Sequence, residues 1–239
     1  MTDFDPTQTP TGIYKAGKKR DQNLQQILAA AEEEFVLKGY RGASMQAIAD
    51  RAGLPKANVH YYFKRKANLY LSVLNGIVDL WNSSFSDISA QDDPAIALDR
   101  FIREKVRLAV THRRASKLFA MEILGGAPYL QDFLETDQRV WVRDRARVIQ
   151  AWIDAGKMAR VDPMHFIFLV WSSTQHYADF DAQTLAVMNR RDYSAQTIDE
   201  ISDFLSATLL RGVGLEVPGE LSSEGKKQAA PRRAKRVSS

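Results

Sequence analysis

An all-α chain in two helical parts is the fold class this sequence predicts, and three observations predict it. Apolar residues recur at helical spacing along almost all of residues 20–212. No alternating apolar and polar run is long enough for a strand. Proline, serine and aspartate stand where helices should begin, and glycine where the first should end. With 239 residues, 45% of them hydrophobic and 26% charged, the chain can bury a substantial core and lacks the composition of a disordered or fibrous protein.

Residues 1–20 are rich in Thr, Pro, Gly and Lys without periodicity, and predict a flexible basic arm. Leu24, Ile27, Leu28, Ala31 and Phe35 then fall on one face of an amphipathic helix that Gly39 can terminate. Ser44 can cap a short helix over 45–52, and Pro55 suits the first turn of another over 55–62. Further helices are expected over about 66–88, 95–110, 112–124, 129–156, 163–188 and 195–210, the last opened by Ser194 or Asp192. Residues 212–239, with Lys226, Lys227, Arg232, Arg233, Lys235 and Arg236 among small residues, predict a disordered basic tail.

Several classes are excluded early. Without cysteine there is no disulfide framework, thiolate metal site or cysteine nucleophile. The N-terminus has no apolar segment behind a basic start, and the longest apolar run, FIFLVW at 166–171, is far short of the roughly 20 residues that span a bilayer. A cytoplasmic home is expected, which makes the Asn82-Ser83-Ser84 glycosylation pattern a chance match. Charge is uneven: residues 1–70 carry 11 basic against 7 acidic side chains, 71–210 carry 15 against 19, and 211–239 carry 7 against 3. Basic ends around an acidic middle suit a polyanionic partner.

The stretch Met45 to Tyr62 shows why that partner should be DNA. Counting Met45 as one, Ala49 falls at five and Gly53 at nine, with Ile48, Ala52, Leu54, Val59 and Tyr62 at the apolar places between two short helices. This is helix-turn-helix spacing: a small residue lets the helices approach, glycine supplies the positive φ of the turn, and the apolar residues fix the crossing. The free face of the second helix carries Lys56, Ala57, Asn58, His60 and Tyr61, which can meet base edges in a major groove. Lys64, Arg65 and Lys66 follow at once, where phosphates would lie, and Ser44 can cap its helix while leaving amides to a phosphate.

The segment ILAAAEEEFVLKGYRGASMQAIADRAGLPKANVHYYFKRKANLYLSVL resembles the DNA-binding domain of TetR-family transcriptional regulators, matching at Ser44, Ile48, Ala49, Ala52, Gly53, Tyr61 or Tyr62, Phe63, Lys66 and Leu69. It departs from the pattern at Leu54-Pro55, where Val-Ser is usual, and at Ala67; Pro55 has no hydroxyl for a phosphate. The resemblance implies a TetR-like chain: a helix-turn-helix domain over 21–65 and a larger helical domain over 66–211 that binds a ligand and dimerises. It also implies a homodimer paired through the last two long helices, with recognition helices set for half-sites about 34–36 Å apart on operator DNA.

The likeness extends further. The segments ASKLFAMEILGGAPYLQDFL (115–134) and HFIFLVWSSTQHYADF (165–180), with DLW at 79–81 and GK-x-x-x-VDP at 156–163, are similar to the pyrimidine-utilisation regulators of the family, which respond to uracil and thymine. That resemblance places Trp81, Trp171 and Gln175 at ligand-contacting positions, with Thr174, Met121 and Leu74 nearby. The chemistry agrees, because a flat ring with two carbonyls and two N–H groups suits aromatic walls and an amide that both donates and accepts. On periodicity alone both tryptophans read as core aromatics. His176, Tyr177 and Asp179 could either support the site or face water, and Glu122 could pair with an arginine or face the ligand. His112 reads as a solvated helix start. Four histidines without metal-ligand spacing, and no glycine-rich loop between strand and helix, leave no catalytic residues, metal or cofactor to expect.

Overall fold

A computed structural model describes residues 11–82 and 85–218, whose regular elements are all helices, with no strand among them. Eleven helices are described: α1 (Thr11–Gly42), α2 (Met45–Ala52), α3 (Lys56–Tyr62), α4 (Lys66–Asn82), α5 (Pro94–Thr111), α6 (Arg113–Leu124), α7 (Gln131–Phe133), α8 (Arg139–Asp154), α9 (Pro163–Asp179), α10 (Asp181–Val187) and α11 (Ala195–Gly212). A π-helical turn over Leu134–Gln138 joins α7 to α8, so the single helix expected over 129–156 is interrupted.

The chain divides into two compact units, Met1–Asp79 with Arg114–Asp132, and Leu80–Arg113 with Phe133–Ser239. This differs from the division expected after residue 65. Most of α4 and nearly all of α6 belong to the first unit, for a reason visible in α4. Leu69, Tyr70, Val73, Leu74 and Ile77 form a buried stripe, and Tyr70 meets Phe35 of α1 edge to face at 4.8 Å.

In the first unit, α1 is buried along Ile27, Ala30, Ala31 and Phe35 until Gly39, at φ 65°, breaks it. Residues 11–20, expected as part of a flexible arm, are instead the first turns of α1; residues 1–10 lie outside the described residues. Lys15, Ala16, Lys18, Lys19 and Arg20 are good helix formers, and a helix nucleated by the buried stripe extends backwards through them despite the cost of Gly12 and Gly17.

In the second unit the core gathers around Trp152, Ile149, Phe101 and Ile167, with Phe85 stacked on Phe101 at 3.9 Å. The starts of three helices are fixed by side-chain caps. Asp93 accepts from Ala95 and Ile96 N–H, Asp162 from His165 N–H, and Ser194 from Thr197 N–H. Asp192, the alternative opener of α11, instead accepts from Arg113 and from Tyr193 N–H.

Two expectations are corrected here. The helix expected over 163–188 ends at Asp179, because Tyr193 Oη donates to the Tyr177 carbonyl at 2.9 Å, and α10 starts afresh after Phe180. The tail does not begin at 212. Val213, Leu215 and Val217 are buried, and Ala159 N donates to the Val213 carbonyl at 2.9 Å. Three apolar residues at alternate positions supply what the basic stretch lacks; residues 219–239 lie outside the described residues.

Candidate nucleic-acid interface and effector site

The turn between α2 and α3 is built from backbone hydrogen bonds. Ser44 Oγ accepts from Ala47 N at 3.1 Å and opens α2. At the other end Gly53 sits at φ 64°, ψ 28°, Gly53 N donates to Asp50 O, and Leu54 N donates to Ala49 O at 3.0 Å. This paired closure needs a left-handed residue, which glycine adopts without a Cβ penalty. Ile48, Ala49 and Val59 are fully buried beneath it. Pro55 stands just before α3 rather than within its first turn.

On α3 the residues sort by angle. At 100° per residue Lys56, Ala57, His60 and Tyr61 share one arc, and all are exposed, Tyr61 to 72%. Val59, Tyr62 and Phe63 hold the opposite arc, where Tyr62 Oη donates to the Arg20 carbonyl at 3.0 Å. Asn58 lies at the margin, half-buried. Among the described residues the side chains of Lys56, Asn58, His60, Lys64 and Arg65 form no hydrogen bond or ion pair. Exposed, unpartnered cations beside a rigid helix are suited to a polyanion.

Lys66 is placed otherwise than expected. Its Nζ donates to the carbonyls of Tyr40 (2.7 Å), Ala43 (2.8 Å) and Arg41 (3.4 Å), and lies 4.5 Å from the centre of the Tyr40 ring. All three protons are engaged by the end of α1, so its ammonium closes a helix C-terminus instead of reaching a phosphate. Arg51 ties α2 to α1 through Glu33 and Glu34, each at 3.1 Å, and those carboxylates raise its pKa. Glu33 also accepts from Arg114 of α6 at 2.6 Å. Glu122, whose partner the sequence leaves open between an arginine and the ligand, is buried and pairs with no arginine among the described residues: it accepts from Tyr70 Oη at 3.0 Å and from Tyr129 N at 2.6 Å. Burial and the neighbouring carboxylate hold the Tyr70 hydroxyl well above its usual range.

The six expected effector residues divide between the units. Leu74, fully buried, and Met121, 44% exposed, are in the first; Trp81, Trp171, Thr174 and Gln175 are in the second. Thr174 is buried with its hydroxyl bonded back to the Val170 carbonyl at 2.7 Å. Trp171 is half-buried and stacks on Trp141 at 6.1 Å, beside Phe168. Gln175 is half-buried, and its amide makes no hydrogen bond among the described residues. Trp81 is 5% exposed. His112 is exposed, with Nδ1 2.9 Å from Thr111 Oγ1.

Sequence reasoning missed Lys105. On α5 the buried stripe runs Leu98, Phe101, Ile102, Lys105, Val106, Ala109, and the single charged residue in it is 4% exposed. That interruption was the available signal. Its Nζ lies 4.8 Å from the centre of the Trp81 ring, and burial lowers its pKa to about 7 against the pull of the Asp179 carboxylate.

Residues 27–73 match the model of bacterial regulatory proteins of the tetR family, and residues 74–216 match that of the YcdC-like protein C-terminal region. The chain belongs to the TetR family, and is thus a DNA-binding transcriptional regulator and not an enzyme. It is similar to the transcriptional regulator RutR of Escherichia coli K12, with 37% identity over 198 residues, 80% of this chain and 93% of that protein. EthR of Mycolicibacterium smegmatis is 25% identical over 202 residues, 84% and 86% of the two chains. A tetR-family regulatory protein from Rhodococcus RHA1 shares the fold at TM-score 0.64 and 20% identity, covering 81% of this chain and 98% of that one. AibR, solved with isovaleryl coenzyme A and operator DNA, shares it at 0.60 and 20%, covering 78% and 97%.

Proposed function

We propose that this regulator senses uracil or thymine and is released by either from an operator controlling pyrimidine and nitrogen catabolism, acting as a repressor. The observation that carries the effector is Gln175. A half-buried amide with a free donor and acceptor, one helical turn from Trp171, suits a planar imide whose edge offers the complementary pair. The likeness of residues 115–134 and 165–180 to the pyrimidine-utilisation regulators supports the same reading, as does the similarity to RutR.

In this reading Lys56, Ala57, His60 and Tyr61, with Asn58 at the margin, meet base edges, while Ser44, Pro55, Lys64 and Arg65 lie along the phosphates. Lys66 acts indirectly by fixing the end of α1. The operator-binding form is a homodimer paired through α9 and α11, where Met164, Phe168, Leu169 and Phe204 are 39–61% exposed beside an open groove of about 440 Å³. Effector binding favours the dimer spacing that fits DNA less well, and the difference in its affinity for the two states limits the response.

Titration calorimetry tests the effector. Uracil or thymine should bind the parent, and Gln175→Ala should weaken binding about tenfold or more, the value of a lost hydrogen-bonded pair. No heat with either base would remove the pyrimidine from this reading and leave the family assignment standing.

A further inference from the structure

The geometry points to Lys105 as a further effector-binding residue, whose ammonium donates to a carbonyl or imide oxygen of the ligand and so selects oxo-pyrimidines against amino-substituted, basic ones. This rests on the proposed pyrimidine reading and assigns one more contact in the same site.

Lys105 is almost wholly buried on the apolar stripe of α5, yet its three N–H donors find no acceptor among the described residues. A cation set in an apolar helix stripe without an acceptor beside it is unusual. The ammonium lies over the Trp81 ring, so it borders a ring that the resemblance places at the ligand. Asp179 of α9 is the carboxylate whose charge acts on it, and Gln175 precedes Asp179 by four residues on the same helix face. Ammonium, indole and free amide therefore come from α5, α4 and α9 within the second unit.

The donors and acceptors complement one ligand class. An imide edge donates its N–H to the Gln175 oxygen and accepts from its nitrogen, and a carbonyl oxygen accepts a hydrogen bond from the Lys105 ammonium. A diaminopyrimidine of the same outline offers no oxygen and becomes cationic readily, so Lys105 repels it.

Calorimetry on the full chain with uracil, using the parent, Lys105→Met and Gln175→Ala, decides the matter, with 2,4-diaminopyrimidine as the control ligand. Lys105→Met keeps the length and removes a buried charge, a replacement that often leaves a fold as stable or more so. Uracil affinity should fall roughly tenfold to hundredfold, the range for a charged hydrogen bond, and discrimination against the diamine should shrink. Equal uracil affinity in parent and Lys105→Met, with Gln175→Ala weakened, would remove Lys105 and leave the pyrimidine reading. No uracil binding by the parent would remove both.

Should Lys105→Met not fold, the parent still answers. At pH 8 the empty site holds Lys105 largely neutral, and an oxygen arriving beside it favours the charged form. Asp179 faces it from α9 and Trp81 from α4. Hydrogen bonds between α11 and α5 among the described residues are made by Asp99 and Arg103, to Ser206 and Asp203. Uracil binding measured in two buffers of different ionisation enthalpy should therefore take up as much as about one proton. Binding without proton uptake would overturn the assignment.

Discussion

The Nζ of Lys66 lies 2.7 Å from the carbonyl oxygen of Tyr40 and 4.5 Å from the centre of its ring, so one cation closes the helix on which the DNA-binding unit rests. A hydrogen bond to a charged group contributes about 1.5–3 kcal/mol, and this ammonium makes three. Lys66→Met should lower stability by about 2–4 kcal/mol in urea unfolding, with operator affinity falling only as the folded fraction falls. Unchanged stability together with a direct loss of affinity would show that Lys66 contacts phosphate after all.

Lys56 should behave in the opposite way. Exposed on α3 and without a partner among the described residues, it contributes nothing visible to the fold. Lys56→Ala should leave the melting temperature within a degree or two while weakening operator binding by about 1–3 kcal/mol if it reads a base. A loss confined to phosphate contact would instead reduce the salt slope by about one and weaken all duplexes alike.

The Glu122 carboxylate joins α6 to α4 inside the first unit. Tyr70→Phe keeps the ring in place beside Phe35 and removes one donor, leaving a buried carboxylate short of a partner. A loss of about 1–3 kcal/mol is expected in thermal or urea unfolding. Glu122→Gln should cost less, because the amide oxygen still accepts from Tyr129 N while its nitrogen can donate to the Tyr70 hydroxyl oxygen.

Lys105 sets a pH dependence in the effector-free protein. Folded, it releases its proton near pH 7; unfolded, near its ordinary value of 10.5. Between these values the unfolded chain binds more protons, so stability contributed by this group rises with pH, by at most about 1.4 kcal/mol per unit. Unfolding free energies at pH 7 and 8.5 should show the rise in the parent, and Lys105→Met should flatten it.

Pairing through α9 and α11 should depend on their exposed apolar residues. Phe204→Glu, at a position 61% exposed, removes no core contact but places charge on the proposed interface. A monomer by light scattering with an unchanged helical spectrum, and weaker operator binding, is the expected result. A dimer as tight as the parent's would move the interface elsewhere.

Much of the fold was legible because its signals are local. Ser44, Gly53 and the stripe through Ile27 and Phe35 each act on neighbours within a turn or two, and the structure has them as cap, left-handed turn and buried face. What was missed depends on partners distant in sequence. Tyr193 ends α9 from 16 residues away, and Lys66 reaches back 26 residues to Tyr40. The packed stretch through Val217 was hidden by the basic composition that follows it. Of the candidate effector site, Trp81 and Gln175 were marked only by the resemblance, since periodicity alone reads Trp81 as core, whereas Lys105 was passed over because a lysine is ordinarily taken for a solvated one.

The proposed regulator selects its DNA by sequence, and a pyrimidine sets its grip. A map of its binding sites across its own genome, made with and without uracil, tests this most directly. A small set of sharp sites sharing a near-palindrome, occupied without uracil and vacated with it, is the predicted result. Sites that stay equally occupied under both conditions, or occupancy spread without sequence preference, would contradict it.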